Sequence, residues 1–160
     1  MPITDMTDLS DLLRPEAVLT GVNAATKKTL FTQLAGVAAG VTDADPRLVA
    51  DKLLAREKLG STGFGGGVAI PHAKLPGLAA VTGVFARLAQ PIEFDAVDGL
   101  PVDLVFALLS PAEAGADHLK ALARVSRRLR DRSFLAKLRG AGSRDALFVL
   151  FTDDQARDAA

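Results

Sequence analysis

The stretch from Val102 to Leu109 most constrains the fold. Its run Leu104-Val105-Phe106-Ala107-Leu108-Leu109 is apolar without alternation and is closed by Ser110-Pro111. A strand with one wet face alternates apolar and polar residues, so an unbroken run of this length predicts a central strand covered on both faces. Such a strand needs helical layers above and below it. The expected fold class is therefore α/β, a single domain with a β-sheet flanked by helices on both faces. At 160 residues, 49% of them apolar, the chain has the material for one such core. The expectation is one domain over 1–160 with an ordered core of roughly 7–152.

The rest of the chain supplies the helices and further strands without a long linker or an internal repeat. Thr7 to Leu13 reads as one helical turn before Pro15, and Ala17 to Val22 as a weak strand. Asn23 is placed to cap a helix running to about Ala39, with Leu30, Leu34 and Val37 on one stripe and Gly40 as its stop. Asp45-Pro46 opens the next helix, on which Val49, Leu53 and Arg56 share a face. Arg56 falls in its last turn, where a cation ordinarily complements the helix dipole. Val81 to Leu88 is a second buried-type strand, and Asp98-Gly99 a turn. Asp117 is the expected N-cap of a helix that begins at His118. Its stripe of Leu119, Leu122, Val125 and Leu129 is set against Lys120, Arg124, Arg127, Arg128 and Arg130, ordinarily a solvated face. Ser133 to Arg139 is a further helix. Ser143 to Thr152 fits helix or strand, and the residues from Asp153 are expected to fray.

Chemistry concentrates between Arg56 and Lys74. Val68-Ala69-Ile70 is a short apolar run closed by Pro71, and Pro71 biases Ile70 towards an extended conformation. His72, one of two histidines, is thus expected at a strand end, behind a glycine cluster that permits close approach. Phe64, Val68, Ile70, Leu75 and Leu78 are expected to form an apolar rim around it that docks partners.

Several functions are excluded on residue grounds. Gly60 to Gly67 fits neither a P-loop nor a dinucleotide fingerprint, and the segment after it is extended rather than helical. No cysteine is present, which removes thiolate metal sites, disulfides and cysteine nucleophiles. The two histidines lack a recognisable zinc spacing, and no nucleophile elbow of a serine hydrolase occurs. Neither a cofactor nor a metal is expected. Nineteen basic residues balance nineteen acidic ones, giving no general attraction to nucleic acid or to membrane surfaces. The N-terminus is acidic where a secretory signal is basic, and no apolar run suits membrane insertion, so the expected location is cytoplasmic.

Two histidines, an arginine and nearby hydroxyls remain, and that set suits phosphoryl transfer. Neutral imidazole attacks phosphorus, while the second histidine, an arginine and hydroxyls hold the phosphoryl oxygens. Taken alone, however, His72 also fits a plain turn and His118 an exposed helix start.

The motifs R-E-x-x-G-S-T-G-x-G-x-G-x-A-I-P-H at Arg56 to His72, P-I-x-F-D-A-x-D-G-x-P-V-D-L-V-F-x-L-L-x-P at Pro91 to Pro111, and H-L-x-x-L-A-x-x-x-R-x-L-R-D at His118 to Asp131 are highly specific together. They resemble the enzyme IIA components of the phosphoenolpyruvate-dependent phosphotransferase system of the fructose/mannitol type, and within them the nitrogen-regulatory IIA proteins. Phe64 stands where isoleucine is common, and Ala73 where glycine usually follows the histidine. The resemblance implies a mixed sheet, with His72 as phosphoacceptor, Arg56 and His118 contacting the phosphoryl group, and Ser61 and Thr62 as hydroxyl neighbours. It implies a phosphotransferase component rather than a free-standing catalyst. The expected donor is an HPr-like phosphocarrier or its nitrogen-branch counterpart (NPr), charged by enzyme I. The expected receivers are regulatory target proteins, such as sensor kinases or potassium transport regulators, or a IIB subunit of a sugar transporter. A binding module that no longer accepts phosphoryl is a third reading.

Overall fold

The computed structural model describes residues 8–152. Six strands, β1 (Val18–Val22), β2 (Gly63–Gly65), β3 (Val68–Ala69), β4 (His72–Leu75), β5 (Thr82–Ile92) and β6 (Val102–Pro111), form one mixed sheet in the order β1-β5-β6-β3-β2, with β4 also on β6. Strands β1 and β5 are parallel, β5 and β6 antiparallel, and β3 and β4 both run parallel to β6. Strand β6 is central, and Leu104 through Leu109 are each at most 1% exposed, as a strand covered on both faces must be.

Five helices cover the sheet: α1 (Lys27–Val41), α2 (Pro46–Lys58), α3 (Ala116–Leu129), α4 (Arg132–Gly140) and α5 (Arg144–Thr152). Helices α1 and α2 pack on each other and reach β5 and β4, while α3, α4 and α5 form a second group that reaches β6 and β1. In that second group the ring of Phe151 lies 4.8 Å from Phe85, 5.3 Å from Phe134 and 5.7 Å from Phe106, centroid to centroid. Gly83 makes room for this cluster. A Cβ there would stand 2.6 Å from the Phe106 ring, closer than packed atoms approach.

Several boundaries differ from the sequence expectation, and one open assignment is resolved. Helix α1 is capped by Thr26, whose side chain accepts from the Thr29 amide, and it runs through Gly40 to Val41. Asn23 instead gives its carbonyl to the side-chain amide of Gln33. Two alanines separate the rival caps, and alanine fits the helix without marking where it starts. Helix α3 begins at Ala116 behind Gly115, so His118 is its third residue and Asp117 lies in its first turn. Ser143 to Thr152 contains the helix α5, with the Ser143 hydroxyl accepting from Ala146 and Leu147, Leu150 and Phe151 buried on one stripe. Two basic residues of α3 are also engaged. Arg124 forms a paired bond with Asp11 and reaches the Asp8 carbonyl, and Arg128 stacks 3.6 Å over the Phe134 ring. The helical turn before Pro15 is present from Leu9 to Leu13. Thr7 and the residues from Asp153, expected to fray, lie outside the described residues.

Candidate functional site

His72 opens β4 rather than ending a strand. Pro71 interrupts the edge without breaking it, because its carbonyl accepts the Leu108 amide while its missing N–H is simply not used. Strand β6 therefore templates both short pieces, with Ala69 opposite Val105 and His72 opposite Leu108. The imidazole is partly buried. Its Nδ1 lies 2.9 Å from the Ile70 carbonyl oxygen. A carbonyl only accepts, so Nδ1 carries the hydrogen and Nε2 keeps the lone pair.

His118 comes from α3 and stands with its ring centroid 5.7 Å from that of His72. It is 6% exposed, which rejects the reading of an exposed helix-start residue. Its Nδ1 lies 2.6 Å from the hydroxyl of Ser110, itself fully buried on β6. Both histidines are held below the ordinary imidazole value of 6.5. For His72 the main cause is burial, opposed by the Ile70 bond, with Arg56 pushing down and Glu57 pushing up. For His118 it is burial again, followed by the charges of His72 and Lys74. Two rings kept neutral at pH 7 suit a nucleophile and a hydrogen-bond donor.

Arg56 is near enough for its charge to act on His72, yet its Nη1 donates to the Gly60 carbonyl at 2.9 Å. It closes the C-terminus of its own helix and charges the site at once. The two expected hydroxyl neighbours are both committed elsewhere. Ser61 donates to the Phe94 carbonyl at 2.6 Å, and the hydroxyl and amide of Thr62 lie between 2.7 and 3.1 Å from the carboxylate oxygens of Glu57. They hold the loop in place rather than stand free for a ligand. Burial decides it: Thr62 is buried, and an unpaired hydroxyl there would cost more than the bond it gives up.

Glu57 and Ser110 are the site residues that the sequence expectation passed over. Glu57, 7% exposed, fixes Thr62; the Thr62 carbonyl accepts the Ile70 amide, and the Ile70 carbonyl holds His72. One buried carboxylate thus anchors a succession of bonds ending on the imidazole. Lys27, 4.0 Å away, balances its charge. The Gly-rich hairpin of β2 and β3 is braced from its far side too. Arg139 donates to the Gly66 carbonyl at 2.8 Å and to both oxygens of Asp103, and Asp98 accepts the Gly66 amide. Gly67 has φ +79°, and a Cβ there would come within 2.5 Å of the Arg139 guanidinium. The expected apolar rim is absent. Val68, Ile70, Leu75 and Leu78 are buried core residues and Phe64 is only partly exposed. Leu59 and Val97, 85% and 83% exposed, supply apolar surface near the hairpin instead.

A family described as the phosphoenolpyruvate-dependent sugar phosphotransferase system, EIIA 2, matches residues 11–154. The chain belongs to that family. Within it, the chain is 51% identical over 148 residues to the nitrogen regulatory protein of Bradyrhizobium diazoefficiens, covering 92% of this chain and 93% of that one. It is 43% identical over 149 residues to the nitrogen regulatory protein of Escherichia coli, covering 92% and 91%. The crystal structure of the nitrogen regulatory protein IIA-Ntr from Neisseria meningitidis matches with a TM-score of 0.84 at 34% identity, over 89% of this chain and 97% of that one. The mixed sheet with five helices is thus the IIA fold. Among the described residues no helix is long and apolar enough to cross a membrane.

Proposed function

We propose that this IIA chain is a phosphoryl carrier of the nitrogen-regulatory branch, with His72 as its phosphoacceptor. The observation that carries this reading is the bond from His72 Nδ1–H to the Ile70 carbonyl, which leaves Nε2 as a neutral, correctly tautomerised nucleophile. Nε2 attacks the phosphorus of a phosphohistidine on an HPr-like carrier. A new N–P bond forms, the carrier's N–P bond breaks, and the carrier's ring nitrogen keeps the electron pair. Positive charge that develops on the His72 ring is met by the Ile70 carbonyl, and negative charge on the phosphoryl oxygens by Arg56 and His118. In this reading the carrier is charged in turn by enzyme I, and the exchange we propose is cytoplasmic.

The output we propose is regulatory: a phosphoryl group on His72 adds negative charge at the site, so partners that dock over it and the hairpin, where Leu59 and Val97 are exposed, distinguish the two forms. The names of the similar proteins support this reading. The family description, which names sugar phosphotransfer, favours delivery to a separate IIB subunit as the competing one. The test is incubation with a phosphorylated HPr-like carrier made from labelled phosphoenolpyruvate. Wild type takes up an acid-labile, alkali-stable label and His72→Ala takes up none. Label that persists in the variant and maps to His118 overturns the assignment, and rapid loss of label to a IIB protein favours the transport reading.

A further inference from the structure

His118 is a buried ring whose tautomer decides what it can offer a phosphoryl group, and its Nδ1 meets one side chain, Ser110. Ser110 is 0% exposed, lies on β6 opposite Lys74, and its hydroxyl makes no other hydrogen bond among the described residues. Two arrangements are conceivable. If Nδ1–H donated to the hydroxyl oxygen, the hydroxyl hydrogen would be left buried without an acceptor, an arrangement native interiors avoid. If the hydroxyl donates to Nδ1, its hydrogen is satisfied, and the ring hydrogen must sit on Nε2, which has no hydrogen-bond partner among the described residues.

We propose that Ser110 is a positioning residue for His118: its hydroxyl donates to Nδ1 and holds the neutral ring as the Nε2–H tautomer, a hydrogen-bond donor for the phosphoryl group on His72. The inference rests on the reading of His72 as phosphoacceptor for its consequence, although the tautomer itself does not depend on it. The two rings are then complementary. His72 is fixed by a carbonyl as a lone-pair donor at Nε2, and His118 by a hydroxyl as a proton donor at Nε2. Neither ring needs to be charged to act.

The experiment measures the imidazole nitrogen shifts of the full chain in wild type, Ser110→Ala, Ser110→Val and Ser110→Thr, together with single-turnover transfer from the phosphorylated carrier at varied carrier concentration. Wild type and Ser110→Thr are expected to show His118 as a single Nε2–H tautomer. Ser110→Ala and Ser110→Val should show a mixed tautomer and a limiting transfer rate lower by about tenfold, as for loss of a hydrogen bond to a charged oxygen, with the half-saturating carrier concentration unchanged. Threonine and valine have nearly the same size, so a packing effect would lower both. An Nδ1–H tautomer in wild type, an unaltered tautomer in Ser110→Ala, or an altered tautomer with an unaltered transfer rate overturns the proposal. If wild type shows the Nε2–H tautomer yet takes no label at His72, the phosphoacceptor reading fails while the tautomer assignment stands.

Discussion

The Gly-rich hairpin beside His72 and the phenylalanine cluster around Phe151 are held together by opposite means. Around Phe151, order comes from rings and aliphatic chains in contact on every side, and no single polar bond matters. Around the hairpin, β2 and β3 have three and two residues, and the backbone is pinned by Glu57, Asp98, Arg139 and Asp103. Apolar contact is non-directional and spread over many atoms, whereas these bonds are few and directional. The cluster therefore governs whether the chain folds, and the braces govern where His72 stands once it has.

Substitutions should separate the two roles. The largest expected effect is on the aromatic side: Phe106→Ala should lower stability by about 3–5 kcal/mol, through lost burial and the cavity left beside Phe85 and Phe151. Urea unfolding measures it. The fraction that remains folded should accept phosphoryl at close to the normal rate, and a loss of rate as large as the loss of stability would erase the proposed division.

Glu57→Gln should cost less, about 1–3 kcal/mol, because one of the two acceptor oxygens facing the Thr62 amide and hydroxyl becomes an NH2 group. Its effect on transfer to His72 should exceed its effect on stability. The His72 titration, followed by NMR, should also move further down, since the Glu57 charge is one of the influences holding it up. A His72 titration that stays in place would mean that the hairpin braces are structural only.

The smallest effect is one of pH. Because folding lowers both histidine values from 6.5, the unfolded chain binds protons more readily, so their contribution to stability is complete above 6.5 and is lost as pH falls through the folded values. Phosphoryl acceptance should fall over the same interval as His72 loses its lone pair. Asp11, bonded to Arg124, and Asp98, bonded to Gly66 and Leu100, are held below 3.8 and give way only in stronger acid. The deficit of Phe106→Ala should not vary between pH 8 and 6, since no ring of the cluster titrates. Unfolding curves across that range would show whether the two regions respond separately.

This division also explains what was legible in the amino-acid sequence. Strand β6 is written as an unbroken apolar run because both its faces are covered, and α2 is marked by Asp45 and Pro46, whose cap geometry is local. Likewise His72, His118 and Arg56 stand out by residue type and motif. Glu57 and Ser110 do not. A glutamate in the last turn of a helix and a serine at a strand end have ordinary surface explanations, and only the fold carries Glu57 inward to Thr62 and brings α3 back over Ser110. The partners of the Ser61 and Thr62 hydroxyls are hidden for the same reason, since they depend on burial that spacing does not reveal.

Strand β6 sets Leu108 against His72 and, two residues on, places Ser110 under His118. The spacing of the two rings is thus ruled off along one strand at about 3.3 Å per residue, inside the sheet rather than in a loop. The turn from Ala112 to Gly115, largely exposed, makes none of these contacts. Exchanges there leave the register of β6 under both rings untouched, so the site stands on β6 together with α3, which carries His118, and α2, which carries Arg56 and Glu57.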